Sequence, residues 1–253
     1  MHPSSNGMEV TTTRSYVLVI AHPDDESMFF LPMIRNILHD EEKGRSSLHI
    51  LCLSNGNYDN LGTIRERELH AAAASISRQI KVTIINSSNL PDGPNKIWPS
   101  ELIGKILSGY INEEKIDNPV LVTFDEGGVS GHTNHVDTHR GVLDYYMNEK
   151  NHLNLELWTL NSIENFIKKY FPIITVLQLI FMWILSCGRS RHIRKNNSVE
   201  MDQITFMMIE PILVWRAMNA HYTQFVWYRR LFVIFSRYSY VNDFTVHRRK
   251  KIN

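Results

Sequence analysis

One imidazole and three carboxylates occupy five consecutive positions near the start of the chain, within the stretch AHPDDE at 21–26. The apolar run YVLVI at 16–20 precedes them, so they directly follow a predicted strand. Carboxylates this close together repel one another, and each raises the pKa of its neighbours. A divalent metal ion would relieve that repulsion. His22 and Asp25, three positions apart in a tight turn, could both bind such an ion.

A second group of possible ligands lies in GHTNH at 131–135, which contains His132 and His135. Two imidazoles, one carboxylate and an open position are typical of catalytic zinc sites, and the same donors could hold ferrous iron. Each motif taken alone has a simpler explanation. A histidine at a helix start is often a cap or a surface group, and an aspartate pair before a helix often caps its dipole.

Predicted strands and helices alternate over the first 160 residues, and these elements must position the residues of the two motifs. Short apolar runs predict strands at 16–21, 48–54, 82–86, 120–124 and 155–160. The segments between them predict helices at 26–39, 62–77, 101–113 and 134–149. This alternation predicts an α/β fold, with one doubly wound, Rossmann-like, mainly parallel sheet and helices on both faces, in a single domain. Sites in such sheets form at the carboxyl ends of strands, so the two motifs should meet there.

A strand ending in AHPDDE and a later GHxxH resemble the LmbE-like, or PIG-L, de-N-acetylase family. The similarity is greatest to its eukaryotic branch, the N-acetylglucosaminyl-phosphatidylinositol de-N-acetylases. Further stretches that carry the resemblance are LSNGNYDNLGTIRERELHAAAA, LPDGP, VTFDEGGVSGHTNH and WYRRLFVIFSRY, so it extends from about residue 16 to about residue 240.

The resemblance implies a role for each residue of the two motifs. It implies that His22, Asp25 and His135 bind Zn²⁺, or another divalent metal. It implies that Asp24 is the general base for the attacking water, and that protonated His132 is a second catalytic group beside the oxyanion. Bacterial relatives often have a tyrosine two residues before the first His of GHxxH, where this chain has Ser130.

Two further residues are candidates for substrate binding. The resemblance implies that Arg65 lies near a phosphate or sugar of the substrate and that Asp92 contacts a sugar hydroxyl. The alternatives are an i,i+3 pair of Arg65 with Glu68 and a turn aspartate before a glycine. His70 and His139 are interpreted as surface residues. The family pattern also includes residues like His221 and Gln224, for which packing is the simpler explanation.

The charge of the chain is uneven although its net value is +1. Residues 1–159 carry 13 Lys and Arg against 21 Asp and Glu, whereas residues 160–253 carry 14 against 5. A basic half suggests an anionic partner, and the apolar, uncharged stretch 170–188 beside it favours lipid over nucleic acid. We therefore expect 170–188 to be a membrane-associating insertion that lies in the membrane interface, with a buried core helix as the alternative. The expected organisation is a flexible N-terminus at 1–14, a deacetylase domain at 15–245 and a basic tail at 246–253.

The function that the resemblance implies is zinc-dependent removal of the acetyl group from N-acetylglucosaminyl-phosphatidylinositol, an early step of glycosylphosphatidylinositol (GPI) anchor synthesis. The alternatives are deacetylation of a soluble N-acetylglucosamine conjugate and a non-catalytic metal-binding role. The partners expected are the glycolipid and the membrane surface. The ending KKIN resembles a dilysine retrieval signal, and two cysteines are too few for a disulfide framework. Both features favour the cytosolic face of the endoplasmic reticulum membrane.

Overall fold

The structure, a computed structural model, describes residues 14–41, 46–150, 152, 154–170, 177, 192–195 and 199–249. The strands of this part are β1 Arg14–Ile20, β2 Ser46–Cys52, β3 Lys81–Ile84, β4 Pro119–Phe124, β5 Glu156–Leu160, β6 His192–Lys195, β7 Val199–Met207 and β8 Val241–Arg249. The helices are α1 Asp25–Phe29, α2 Leu31–Glu41, α3 Gly62–Ile76, α4 Ser100–Glu113, α5 Gly128–Gly131, α6 Thr133–Asn148, α7 Phe166–Tyr170, α8 Pro211–Ala220 and α9 Trp227–Phe235. Short 3-10 turns cover Asn57–Asp59 and Arg237–Ser239.

The strands of the described chain form one sheet in the order β3-β2-β1-β4-β5-β8-β7-β6. The five strands β3, β2, β1, β4 and β5 run parallel, and β8, β7 and β6 extend the sheet with antiparallel pairs. The predicted doubly wound, mainly parallel α/β fold is confirmed. The strand order reverses direction between β1 and β4, which is where open α/β sheets bind their ligands.

The core follows from the apolar runs that predict the strands. Residues 17–20 of β1 and all of β4 are buried, as expected for strands covered on both faces. On the helical layer, α4 packs against α6, and Gly141 of α6 permits the close approach. A Cβ atom at Gly141 would lie 2.5 Å from the Cβ of Ile103.

The predicted helix 26–39 is two helices, because the chain breaks at Phe30 (φ −115°, ψ 0°). Pro32 lacks an N–H group and fits only the first turn of a helix, so a new helix begins just before it. The fully buried side chain of Asn242, in β8, bridges the break. Its amide donates to the carbonyl of Phe29 (2.8 Å) and its oxygen accepts from the N–H of Met33 (3.1 Å).

The C-terminal part differs from the sequence prediction in two ways. The basic tail was expected from residue 246, but residues 246–249 belong to β8, which pairs with β5 and β7. His139, expected at the surface, is buried, and its Nδ1 lies 2.9 Å from the carbonyl of Phe124. The predictions for 1–13, 250–253 and nearly all of 170–188 concern residues outside the described ranges. Within the described ranges, no helix combines the length and apolar character that crossing a bilayer requires.

Candidate active site

The loop after β1 is held in shape by its own aspartate. One carboxylate oxygen of Asp25 accepts hydrogen bonds from the backbone N–H groups of Ala21 (3.1 Å) and His22 (2.9 Å). Asp24, the residue before helix α1, has φ 120°, a conformation that side-chain-bearing residues rarely adopt. Strain of this kind persists where the surrounding structure fixes the residue, and it is concentrated at functional sites.

His22 and His135 reach the same point from opposite loops. Oδ1 of Asp25 lies 3.2 Å from Nε2 of His135. Oδ2 of Asp25, which accepts the two backbone hydrogen bonds, lies 3.9 Å from Nδ1 of His22. Burial favours the protonated acid, yet the neighbouring His135 and His22 lower the pKa of Asp25 to about 2. The prediction that the loops after β1 and β4 converge is therefore confirmed.

The other nitrogen of each imidazole is held by the protein. Nδ1 of His135 lies 3.0 Å from the carbonyl of Gly128, which can only accept, so Nδ1 donates and Nε2 faces Asp25. Nε2 of His22 lies 3.0 Å from Asp92 and 3.1 Å from the side-chain oxygen of Asn134, so its Nδ1 faces Asp25. Outer partners of this kind orient metal-binding histidines.

His132 is the residue that caps helix α6, where its Nδ1 accepts a hydrogen bond from the N–H of Asn134 (3.3 Å). Its ring centre lies 5.0 Å from those of both His22 and His135. Partial burial and the repulsion from these two imidazoles lower the pKa of His132 to about 4. These effects favour the neutral ring near pH 7, and the protonated role that the resemblance implies for His132 stays a prediction.

The described residues contain one set of donors suited to a metal ion. One nitrogen from each of His22, His132 and His135 lies within 4.8 Å of the other two. Asp25 adjoins this set through its contact with His135. Three imidazoles and a carboxylate fit a divalent transition metal. The set could thus hold a metal ion, and the choice of His22, Asp25 and His135 as its ligands stays a prediction.

Asp24 is buried and forms an ion pair with Arg229 of helix α9. Burial raises the pKa of Asp24, against the effect of the guanidinium. Sequence reasoning missed Arg229, because its run WYRRLFVIF carries no spacing that ties it to AHPDDE. The signal available in the sequence was the presence of two adjacent arginines, Arg229 and Arg230, in an otherwise apolar helix.

A second set of contacts joins the same C-terminal segment to the site. Nε2 of His221 lies 2.7 Å from Glu26, and both side chains are fully buried. Thr223 donates to Glu68 through its N–H (2.8 Å) and its hydroxyl (2.7 Å). His221 is therefore a buried partner of Glu26, and the alternative i,i+3 pair of Arg65 with Glu68 is not formed.

Arg65 and Asp92 meet at the edge of the site. Nη1 of Arg65 donates to the carbonyl of Gly56 (2.8 Å) and lies 3.6 Å from Asp92. Its buried Nε has no hydrogen-bond partner in the described part of the chain. Gly56 has φ 69°, and a Cβ there would lie 2.9 Å from Arg65, so the position suits glycine.

These side chains line one cleft of about 490 Å³ at the carboxyl ends of the strands. The cleft wall contains all seven residues predicted from the sequence: His22, Asp24, Asp25, Arg65, Asp92, His132 and His135. Ser130, Lys169, Gln224, Arg229 and Phe232 also line it. A volume of this size is typical of small-molecule sites.

A family model described as "PIG-L: GlcNAc-PI de-N-acetylase" matches residues 17–146, which include both histidine motifs. The chain belongs to the PIG-L family. Among its relatives, the N-acetylglucosaminyl-phosphatidylinositol de-N-acetylase of Saccharomyces cerevisiae is 34% identical, over 91% of this chain and 80% of its own length. The enzyme of that name from Bos taurus is 33% identical, over 90% of this chain and 81% of its own length. A Schizosaccharomyces pombe protein with the same name, marked probable, is 32% identical, over 93% of this chain and 88% of its own length.

A solved structure supports the fold of this PIG-L family member. It is a deacetylase from the biosynthesis pathway of teicoplanin, with a TM-score of 0.53 over 94% of this chain and all of that one. At 10% identity this similarity concerns the fold alone.

Proposed function

We propose that this PIG-L family member hydrolyses the N-acetyl group of N-acetylglucosaminyl-phosphatidylinositol, giving glucosaminyl-phosphatidylinositol and acetate, an early step of GPI-anchor synthesis. The observation that carries the proposal is the meeting of His22, Asp24, Asp25, His132 and His135 in one cleft. Relatives that bear this enzyme's name, at 32–34% identity over most of the chain, support it.

The proposed cofactor is Zn²⁺, bound by His22, Asp25 and His135, with another divalent metal as the alternative. The donor chemistry supports this choice, because each imidazole turns one nitrogen towards Asp25 and has its other nitrogen held by the protein. When bound, such an ion supplies Lewis-acid polarisation of the amide carbonyl and lowers the pKa of water.

The protein's own residues carry the proton transfers. Asp24 is the proposed general base, which takes a proton from the water that attacks the acetyl carbonyl. Its pair with Arg229 holds the carboxylate in one orientation in a buried site. The carbon–nitrogen bond then breaks, and Asp24 or His132 gives a proton to the leaving amine, so that acetate and a free amino sugar are released.

His132 is proposed to stabilise the oxyanion that forms on the acetyl oxygen. Its pKa of about 4 means that it starts neutral near pH 7. A developing negative charge beside the ring raises its affinity for a proton. The cationic form is thus expected in the transition state and not before it.

Arg65 and Asp92 are proposed to bind the substrate's polar groups. Arg65 contributes a guanidinium with an unpartnered Nε at the cleft wall, which suits a phosphate or sugar oxygen. Asp92 contacts His22, and its place in the same wall leaves it available to a sugar hydroxyl. The site of action proposed is the cytosolic face of the endoplasmic reticulum membrane.

Acetate release from N-acetylglucosaminyl-phosphatidylinositol by the purified chain, measured alongside its metal content, tests the proposal. Asp24→Asn should bind metal but release no acetate above background. Asp117→Asn is the matched control, because Asp117 is exposed in the turn before β4, at the opposite end of the sheet. Release by Asp24→Asn at the rate of Asp117→Asn would contradict the proposed base. Turnover of a lipid-free conjugate alone would favour the soluble-substrate alternative, and metal binding without any turnover would favour a non-catalytic role.

A further inference from the structure

Helix α9 exposes apolar side chains to solvent on its outer side. Trp227 is 71% exposed, and Tyr228, Leu231, Ile234 and Phe235 are each more than 40% exposed. Only Val233 of this helix is buried. Helices at the surface of soluble proteins normally bury their apolar side, and this one does the reverse.

The exposed residues form one continuous stripe. At about 100° per residue, Ile234, Trp227, Leu231, Phe235 and Tyr228 follow one another around the helix within an arc of about 120°. We call these five residues the apolar stripe. Contiguous exposed apolar patches of this kind mark interaction sites.

The charges beside the apolar stripe are positive. Helix α9 contains two arginines and no acidic residue. Arg230 is exposed at one edge of the stripe, and its guanidinium lies over the ring of Phe225 (5.6 Å). Trp215 of helix α8, itself 41% exposed, packs on the same Phe225 ring (4.9 Å) and so extends the patch.

The opposite side of the same helix forms part of the cleft. Arg229 and Phe232 line it, and Arg229 pairs with Asp24. Lys169 and Tyr170 line the cleft on the side where the Tyr170 ring meets Phe232 (6.3 Å). The apolar stripe therefore stands at the rim of the cleft, one helix diameter from the proposed base.

We propose that the apolar stripe docks this protein on the surface of a bilayer that contains anionic lipids, with the rim of the cleft against the headgroups. The proposal rests on the proposed function, because a glycolipid whose acyl chains remain in the membrane must be met at its surface. Tryptophan and tyrosine favour the interface between headgroups and acyl chains, and arginine at the edge suits anionic headgroups. A helix that lies in the interface buries its apolar face in this way.

A vesicle flotation assay tests the proposal without requiring turnover. The full-length chain should float with phosphatidylcholine vesicles that contain phosphatidylserine, and less with phosphatidylcholine alone. Replacing Trp227, Leu231 and Phe235 together by serine should reduce the partition coefficient by about tenfold or more. Met147→Ser is the control, because Met147 is 62% exposed at the far end of helix α6. It should float like wild type.

A spectroscopic measurement locates the contact independently. Brominated phospholipids should quench part of the tryptophan fluorescence of the wild-type chain, and Trp227→Phe should reduce that quenching. Equal flotation of the triple serine variant and wild type, or equal quenching in Trp227→Phe, would overturn the proposal. A wild-type chain that stays off vesicles would also overturn it, and would point to a protein partner, a second copy or the 171–191 segment as the occupant. A chain that floats through the stripe but releases no acetate would instead overturn only the proposed function.

Discussion

The carboxylate of Asp24 pairs with the guanidinium of Arg229, which lies 205 positions later in the chain. Asp24 adopts a strained backbone conformation and sits beside two other acids in the same loop. A buried carboxylate in that setting tends to protonate, and the cation opposes this tendency. Arg229 thus favours the ionised form that a general base needs.

Removing the cation of Arg229 should weaken Asp24 in its proposed role as general base. We expect Arg229→Gln to lower kcat/KM for acetate release by about tenfold or more at pH 7. The acid limb of the pH–rate profile should also move to higher pH, because the pKa of Asp24 rises when its partner is lost. Arg216→Gln is the control, since Arg216 is exposed and its hydrogen bond within the described residues goes to the carbonyl of Ser75. An unshifted acid limb in Arg229→Gln would remove Arg229 from this role.

The buried pair of His221 and Glu26 should contribute to stability. His221→Leu leaves a buried carboxylate without its partner, so the free energy of unfolding should fall by about 3 kcal/mol or more. His70→Leu, at an exposed position of helix α3, should change it by less than about 0.5 kcal/mol. Denaturant titrations of the two variants and wild type measure both values. Equal midpoints for His221→Leu and wild type would contradict the pair's importance.

The same pair predicts a pH dependence of stability. Burial opposes the charge on His221, but Glu26 more than compensates and raises the pKa of His221 above its usual value. The contribution of the pair should be complete below the unfolded pKa of about 6.5 and should be lost as the pH rises through the higher folded pKa. The difference in unfolding free energy between wild type and His221→Leu should therefore shrink in alkaline buffer. A difference that grows with pH would contradict this assignment of sign.

Two glycines in packed helices should respond oppositely to alanine. Gly141→Ala places a methyl group 2.5 Å from the Cβ of Ile103, which cannot swing away, so stability should fall by about 1–3 kcal/mol. At Gly109, no described residue outside the glycine's own stretch of helix lies within 4 Å of the corresponding position, so Gly109→Ala in helix α4 should raise stability by about 0.5–1 kcal/mol. Thermal unfolding of both variants measures the contrast. A stabilising Gly141→Ala would show that α4 and α6 can separate without cost.

Metal binding should depend on His135. Elemental analysis of the protein dialysed against zinc should give about one equivalent for wild type. His135→Ala should give much less, because it removes the imidazole next to Asp25. His152→Ala is the control, since His152 contacts the carbonyl of Asp117 at the opposite end of the sheet from the cleft. Full occupancy in His135→Ala would exclude His135 as a ligand.

The sequence was sufficient for the parallel half of the sheet and for the seven predicted residues of the cleft. The strands β1, β2 and β4 contain continuous, buried apolar runs at 16–20, 50–52 and 119–122, so periodicity and length identify them. Strand β8 was not predicted, because its charged residues suggested a solvated tail, whereas in the structure they form ion pairs within the sheet. Arg248 pairs with Glu156 (3.1 Å) and with Asp202, so a stretch that resembles a solvated tail is a strand with neighbours on both sides.

The contacts that close the site could not be predicted from spacing. His221 with Glu26, Thr223 with Glu68, and Arg229 with Asp24 join residues 155 to 205 positions apart. Local periodicity contains no information on pairs this distant. The motif AHPDDE identifies the acids, but only the fold shows which cation each acid meets.

Strand β8 lies between β5 and β7, and helix α9, which supplies Arg229, precedes it by a few residues. During synthesis on the ribosome, the parallel half can begin to fold early, because domains fold from the N-terminal side as they emerge. Strands β5 and β7 each lack their β8 neighbour, and Asp24 lacks its counter-ion, until residues 229–249 have left the exit tunnel. A nascent chain that stalls before that point would present an unfinished sheet edge and an inactive cleft, and so be a substrate for chaperones.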